Sequence, residues 1–376
     1  MTGSRRASKP ARRKQGWRVT GKCRIGLTDD FLLADGALAF PGYDLRALRH
    51  SPAADLRRIP GGSVLGAPAL TGIDVLILVP QMAAVSRDSL AQADTLTGII
   101  RVGVGCEDVD LAACTAAGIA VVVPADAVRR PTAVAALTLL LALATRLVEK
   151  DRLTRAGPDA WHRRPQMRGR NLTGRVLGLV GCGNIGSDLA LLVRPLGMRV
   201  MAFDPALTDA DASARGIERA SLDQVLAMAD YISVHCPLTP ETRHLFDANR
   251  LAQMKPGAAL INTARGGIVD QDALVAALAR GHLSGAALDV FDPEPLPLGH
   301  PLLSADGVIL SAHALNWTEE LDADLAAQNV AAVFDLLAGR IPHRVVNADV
   351  LGTPEFTRKL TILAKKFAAI TEGTLV

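Results

Sequence analysis

Residues 174–205 read GRVLGLVGCGNIGSDLALLVRPLGMRVMAFDP, and no other stretch restricts the fold as much. A short apolar run ends in three glycines spaced G-x-G-x-x-G: Gly181, Gly183 and Gly186. An apolar helical pattern follows, and a second apolar run ends at Asp204. The glycines permit a tight turn and a close backbone approach to phosphate, and the helix N-terminus offers unpaired N–H groups to its charge. An acidic residue about 20 positions beyond such a loop accepts hydrogen bonds from ribose hydroxyls and repels a 2′-phosphate. Asp204 follows Gly186 by 18 positions, so the stretch predicts a strand–loop–helix–strand unit that binds NAD rather than NADP.

The rest of the chain alternates in the same way. CRIGLT (23–28), DVLILVP (74–80) and TLTGIIRVGVG (95–105) read as buried parallel strands, and DLAACTAAGIAVVVP (110–124) as helix, glycine stop and strand. The apolar stretch 130–153 predicts one long buried helix with Pro131 in its first turn. Beyond the glycine loop the alternation predicts a doubly wound parallel sheet of five strands, then a helix over 321–337 with Gly339 past its end. The fold class is α/β. The last stretch reads as a short amphipathic helix and a frayed end.

Hydrophobic residues make up 49% of 376 and aromatics only 3%, so the cores must be aliphatic. A net charge of +3 is too small to argue for nucleic acid as a partner, and much of the excess lies in residues 1–18, a basic arm too polar to fold alone that reads as a solvated tail rather than as a binder of nucleic acid or an acidic partner. The five cysteines are scattered without a CxxC pair or a His/Cys cluster, so no metal site or disulfide framework is expected. Reduced thiols fit a cytoplasmic protein. The apolar run 133–147 is shorter than the ~18–20 residues of a membrane span.

Three polar residues sit at or just past predicted strand ends downstream of the loop: Arg265 after ALINTA, Glu294 after GAALDVFDP and His313 after VILSA. In doubly wound sheets that edge is where ligands bind. Hydride transfer between a nicotinamide and an oxygen-bearing carbon needs a group that moves a proton, and histidine titrates near working pH. A neighbouring carboxylate favours its protonated form, and a guanidinium grips a substrate carboxylate through parallel bonds. Each residue also has an ordinary structural use, as a strand-end cap, a solvated loop acid or a satisfied core histidine. Asp270 fits a helix N-cap, separate from any chemistry.

The motifs LVGCGNIG, HCPLTPETRHLF, MKPGAALINTARGGIVD, ALDVFDPEP and SAH make residues 172–347 resemble the D-isomer-specific 2-hydroxyacid dehydrogenases, a family that includes glyoxylate/hydroxypyruvate reductases and D-3-phosphoglycerate dehydrogenases. RVGVGCEDVDL (101–111) and TAVAALTLLLALATR (132–146) extend the likeness. The resemblance implies two Rossmann-like domains, with an NAD-binding domain (128–316) inserted into a discontinuous substrate domain (19–127 and 317–350), and a C-terminal extension (351–376). It implies that Arg265 binds the substrate carboxylate, that His313 is the acid/base and that Glu294 tunes it. Asn184, Ile185 and Asp204 would contact NAD, and Pro237, Thr242, Thr263, Ala264, Asp289 and Thr132 would line the cofactor. Backbone groups of Val102, Gly103 and Val104 would hold the carboxylate from the other domain. A homodimer acting on a small 2-hydroxy or 2-keto acid is implied, with a corepressor-like NAD-binding scaffold or a dehydrogenase of a phosphorylated hydroxy acid as the alternatives. The chain departs from the family pattern at Ala312 (usually proline), Ala136 (commonly glutamate), Cys106 and ALNWTEE after His313. Substrate choice is therefore expected around Val102–Cys106, residues 80–84 and Trp317, which either narrows the cleft or fills a core.

Overall fold

The computed structural model describes residues 22–31, 39–79 and 83–373; the basic arm lies outside them. Two parallel sheets form the frame. The first contains β1 (Cys23–Thr28), β2 (Ala54–Ile59), β3 (Val75–Leu78), β4 (Gly98–Arg101) and β5 (Ala120–Val122), in the order β2-β1-β3-β4-β5. The second contains β6 (Val176–Val180), β7 (Arg199–Phe203), β8 (Glu218–Arg219), β9 (Tyr231–Val234), β10 (Ala259–Asn262), β11 (Gly285–Leu288) and β12 (Val308–Leu310), in the order β12-β11-β10-β9-β6-β7-β8. Beyond the glycine loop six strands stand where five were expected. The two-residue edge strand β8 is exposed on both residues and carries no apolar signature. β2, with sequence ADLRRI, escaped the sequence reading for the same reason: it is an edge strand whose middle faces water.

Both sheets are covered on both faces. In β3 the side chains of Val75 and Ile77 enter one apolar cluster, while those of Leu76 and Leu78 enter another on the opposite side. A strand buried on both sides has no reason to alternate, which is why VLIL is apolar throughout. β6 does likewise, with Val176 and Val180 on one face and Leu177 and Leu179 on the other. Gly178 lies between them because the helix Leu222–Met228 and the residue after it come close: a Cβ there would stand 2.7 Å from Val225 and 2.8 Å from Ala229.

The long helix differs from expectation. It runs Ala125–Thr145, starting a turn earlier, so Pro131 lies inside it rather than in its first turn. It stops at Arg146, whose φ of 53° is left-handed, and a separate helix Leu147–Arg155 follows. At 21 residues it is long and apolar enough to cross a bilayer, yet 56% of its most apolar stretch is buried inside the protein. It packs on the glycine-loop helix Asn184–Val193 and carries the chain from the first sheet to the second. The return helix Glu319–Leu337, N-capped by Thr318, packs back on β4.

The C-terminal stretch is the second correction. It is a helix over Pro354–Gly373 whose Phe356 and Leu363 belong to the core of the first sheet. Lys359, only 6% exposed, donates to the carbonyls of Ala93 (3.3 Å), Leu96 (3.2 Å) and Ala117 (2.8 Å). Three acceptors around one ammonium satisfy a charge that would otherwise be costly to bury.

Candidate functional site

The glycine loop has the shape the sequence demanded. Gly181 adopts φ 95°, and a Cβ on it would lie 2.6 Å from the backbone of His235 and Cys236. A Cβ at Gly186 would collide with the carbonyl of Gly181. At Gly183 no atom lies within 4 Å of a Cβ position: this glycine caps the helix Asn184–Val193 and faces open space. Two glycines are thus required by the protein itself, and the third leaves room for something else. Asp204, just past β7, accepts from the backbone N–H of Cys182 (2.7 Å) and of Ala206 (2.8 Å). A carboxylate has about four acceptor positions, so capacity for ribose hydroxyls remains. The site fits a dinucleotide.

Strand order brings the other residues together. β10, β11 and β12 are neighbours, with Asn262 opposite Leu288 and Leu288 opposite Leu310 at their carboxyl ends. Arg265 follows the first, Glu294 the second and His313 the third. His313 Nδ1 lies 2.8 Å from Glu294 Oε2, and Glu294 Oε1 accepts from the Phe291 N–H at 2.8 Å. Both carboxylate oxygens are therefore held. His313 itself has φ 52°, a left-handed conformation uncommon for a residue with a Cβ. Gly266 lies against the backbone of Phe291, where any Cβ would collide, so the Arg265 turn and the Glu294 loop touch.

Asn262 shapes the Arg265 turn. Only 1% exposed, it donates to the Arg265 carbonyl (2.8 Å) and accepts from the Ala264 N–H (3.0 Å). Arg265 Nη1 donates to the Ala264 carbonyl at 2.6 Å, and Nε donates to Glu107 Oε1 at 2.8 Å. Glu107 comes from the loop after β4 in the other sheet, the loop that carries Val102, Gly103 and Val104. Gly105 of that loop faces the guanidinium so closely that a Cβ there would collide with Nη2. Buried Arg101 braces the loop through the Gly105 carbonyl (3.0 Å) and Asp108. Asn262, Glu107 and Arg101 were missed by the sequence reading, whose Val102–Cys106 segment does include Gly105; the available signal was polar residues bordering a glycine-rich strand exit.

The remaining residues lie around these. Asp289, 4% exposed, accepts from the N–H groups of Ala314 (3.3 Å) and Leu315 (3.4 Å), holding the segment after His313. Thr242 donates to the Pro237 carbonyl at 2.6 Å, and the buried hydroxyl of Thr263 has no hydrogen-bond partner among the described residues. Asn184 is exposed at the loop, while Ile185 leans on the apolar cluster behind it. Thr132 Oγ1 accepts from Asn316 Nδ2 at 3.2 Å, tying the two passages of chain between the sheets. Trp317 is no core residue: it is 63% exposed, and its ring meets Phe40 edge-on at 6.1 Å. Residues 80–82 lie outside the described residues. Arg130 Nε pairs with buried Asp188 on the glycine-loop helix at 3.0 Å.

His235 sits beneath the loop, its Nε2 2.9 Å from Ser233 Oγ. Burial pushes its pKa down from 6.5 to about 4. Burial also raises the thiols of Cys23, Cys106 and Cys236 to about 11 and that of Cys114 to about 12; Cys182 is raised too, and none of the five forms a disulfide.

A fold of this order with a histidine–carboxylate pair beside an arginine defines a class of nicotinamide-dependent oxidoreductase, and comparison with known proteins narrows it. The family model "D-isomer specific 2-hydroxyacid dehydrogenase, NAD binding domain" matches residues 137–314. A glyoxylate reductase of Korarchaeum cryptofilum is 37% identical over 262 residues, 69% of this chain and 78% of that protein. A D-3-phosphoglycerate dehydrogenase of Mycobacterium leprae is 40% identical over 274 residues, 73% of this chain, but the match spans only 51% of that protein's length. The apo crystal structure of D-mandelate dehydrogenase from Rhodotorula graminis superposes with a TM-score of 0.75 at 27% identity, covering 87% of this chain and 98% of that one. The chain belongs to the D-isomer specific 2-hydroxyacid dehydrogenases. It is an NAD-dependent oxidoreductase acting on small 2-hydroxy or 2-keto acids.

Proposed function

We propose that the protein interconverts a small 2-keto acid and its D-2-hydroxy acid, with His313, Glu294 and Arg265 as the working residues. NAD, when bound, supplies the hydride acceptor or, in reduced form, the donor. Arg265 holds the substrate carboxylate from one side and the backbone of Val102, Gly103 and Val104 from the other. That places the adjacent carbonyl carbon for hydride transfer and its oxygen toward His313. In reduction His313 gives that oxygen a proton from Nε2; in oxidation it takes the proton back from the hydroxyl. Glu294, engaged at Nδ1, keeps the ring oriented and stabilises the imidazolium form. The glycine loop, with Asn184 and Ile185, receives the cofactor's pyrophosphate side, and Asp204 its ribose. Pro237, Thr242, Thr263, Ala264, Asp289 and Thr132 line the cofactor.

The observation that carries this reading is the 2.8 Å contact between His313 Nδ1 and Glu294, one strand away from an arginine. The test is an initial-rate panel of glyoxylate, hydroxypyruvate, pyruvate, longer 2-keto acids and a phosphorylated keto acid, each with NADH and NADPH. A rate with NADH and an unphosphorylated keto acid supports it. Tight NAD binding with no rate on any keto acid replaces it with an NAD-binding scaffold.

We further propose a homodimer. The helix Ala125–Thr145 and the segment after it leave Val134, Leu141, Leu147 and Trp161 between 37% and 59% exposed. Light scattering after size exclusion tests this directly: a monomeric mass removes the proposal.

A further inference from the structure

Arg265 already holds a carboxylate. Glu107 Oε1 takes the Nε–H at 2.8 Å, and the two residues come from different sheets, 158 positions apart. Of the three guanidinium nitrogens, Nε serves Glu107 and Nη1 serves the Ala264 carbonyl at 2.6 Å. Nη2 lies over Gly105, the only kind of residue that leaves it room. A two-pronged grip on a planar anion uses a pair of neighbouring N–H groups, and the Nε edge is one of the two such edges an arginine has. Glu107 stands on that edge, on the same loop proposed to hold the substrate's carboxylate.

Charge and exposure explain why such a contact can be reversible. Arg265 is 21% exposed and Glu107 44%, so the glutamate can return to water when the arginine is taken by another anion. Exposed pairs contribute little to stability, and a competing carboxylate has little to overcome. The loop itself does not need the pair for its shape, because Arg101 braces it from beneath through Gly105 and Asp108.

We propose that Glu107 is a latch: an internal stand-in for the substrate carboxylate that spans the cleft to Arg265 and is displaced when a 2-keto acid binds. It thereby sets the affinity for the substrate's acid group without taking part in proton transfer. The proposal rests on the reading of Arg265 as the carboxylate holder.

The experiment compares the full-length wild type with Glu107→Gln and Arg265→Ala, using the keto acid that gives the highest rate, and oxamate as a non-reacting carboxylate probe. Removing the latch charge lowers KM for the keto acid and Ki for oxamate together by roughly threefold to fivefold, the upper range for an exposed ion pair. In Glu107→Gln, kcat changes by less than about twofold, because proton transfer from His313 is untouched. An unchanged KM overturns the latch, and a raised KM overturns it in favour of Glu107 as a support for the arginine. If Arg265→Ala leaves KM unmoved, the carboxylate reading fails and the latch falls with it. If Arg265→Ala raises KM while Glu107→Gln does not lower it, the latch alone fails.

Discussion

His313 and Glu294 meet at 2.8 Å only because β11 and β12 are adjacent and each ends just before one of them. The contact fixes which ring nitrogen is left for a substrate. His313→Ala should lower kcat by roughly 10²–10⁴. Glu294→Gln keeps a hydrogen-bonding partner for Nδ1 but no charge, so it should lower kcat, and by less than His313→Ala does. Steady-state keto-acid kinetics checks both. An unchanged kcat in Glu294→Gln would remove it from the pair.

Arg265→Ala should raise KM for the keto acid while leaving NADH binding within about twofold, as expected for loss of a charged hydrogen-bonded contact to substrate alone. Fluorescence titration of NADH beside keto-acid kinetics separates the two ligands. Equal weakening of both would count against the assignment.

Asp204 bears on cofactor choice. Asp204→Ser removes the charge that repels a 2′-phosphate, so the ratio of kcat/KM for NADH over NADPH should fall by at least about tenfold, the equivalent of ~1.4 kcal/mol. Some loss of stability accompanies it, since the N–H of Cys182 loses its acceptor. A constant ratio would place the discrimination elsewhere.

His235 gives the molecule an acid limit. Its pKa is near 4 when folded and 6.5 otherwise, so between those values the unfolded chain takes the proton first. The stabilising contribution is complete above pH 6.5 and disappears as pH falls toward 4. It amounts to at most about 3 kcal/mol, following ~1.36 kcal/mol per pH unit between the two values. Urea unfolding at pH 7, 5.5 and 4.5 should show the decline, and His235→Asn should flatten it. Because His235 supports the turn at Gly181, NAD affinity should fall over the same range.

Lys359→Met should destabilise the protein by about 1–3 kcal/mol, because the carbonyls of Ala93, Leu96 and Ala117 lose their shared donor while remaining buried. Thermal melting reads this, and keto-acid KM should stay put.

The second sheet was legible from the sequence because its signals are local: the glycine spacing, the apolar runs and the polar residue at each run's end. β2 and β8 were not, since an edge strand facing water has no periodic pattern to show. The C-terminal helix was legible as an amphipathic helix but not in its length or its docking; only the fold reveals the three carbonyls around Lys359. Glu107 was invisible for a stronger reason. Nothing within ten residues of it mentions Arg265, and the pair exists only once two sheets have been placed side by side.

The hydrogen bond between Asn316 and Thr132 joins the outgoing and returning passages of the chain at one place. Two leaves tied where both passages of a connector cross are held to a common pivot, which narrows the ways they can move against each other. If the halves swing, Arg265 approaches and leaves the 102–105 loop along a narrowed range of paths, and the grip on a substrate need not be found anew at every turnover. An inserted residue in either passage would loosen that pivot and widen the range, and the damage would appear as imprecise alignment in an otherwise stable protein.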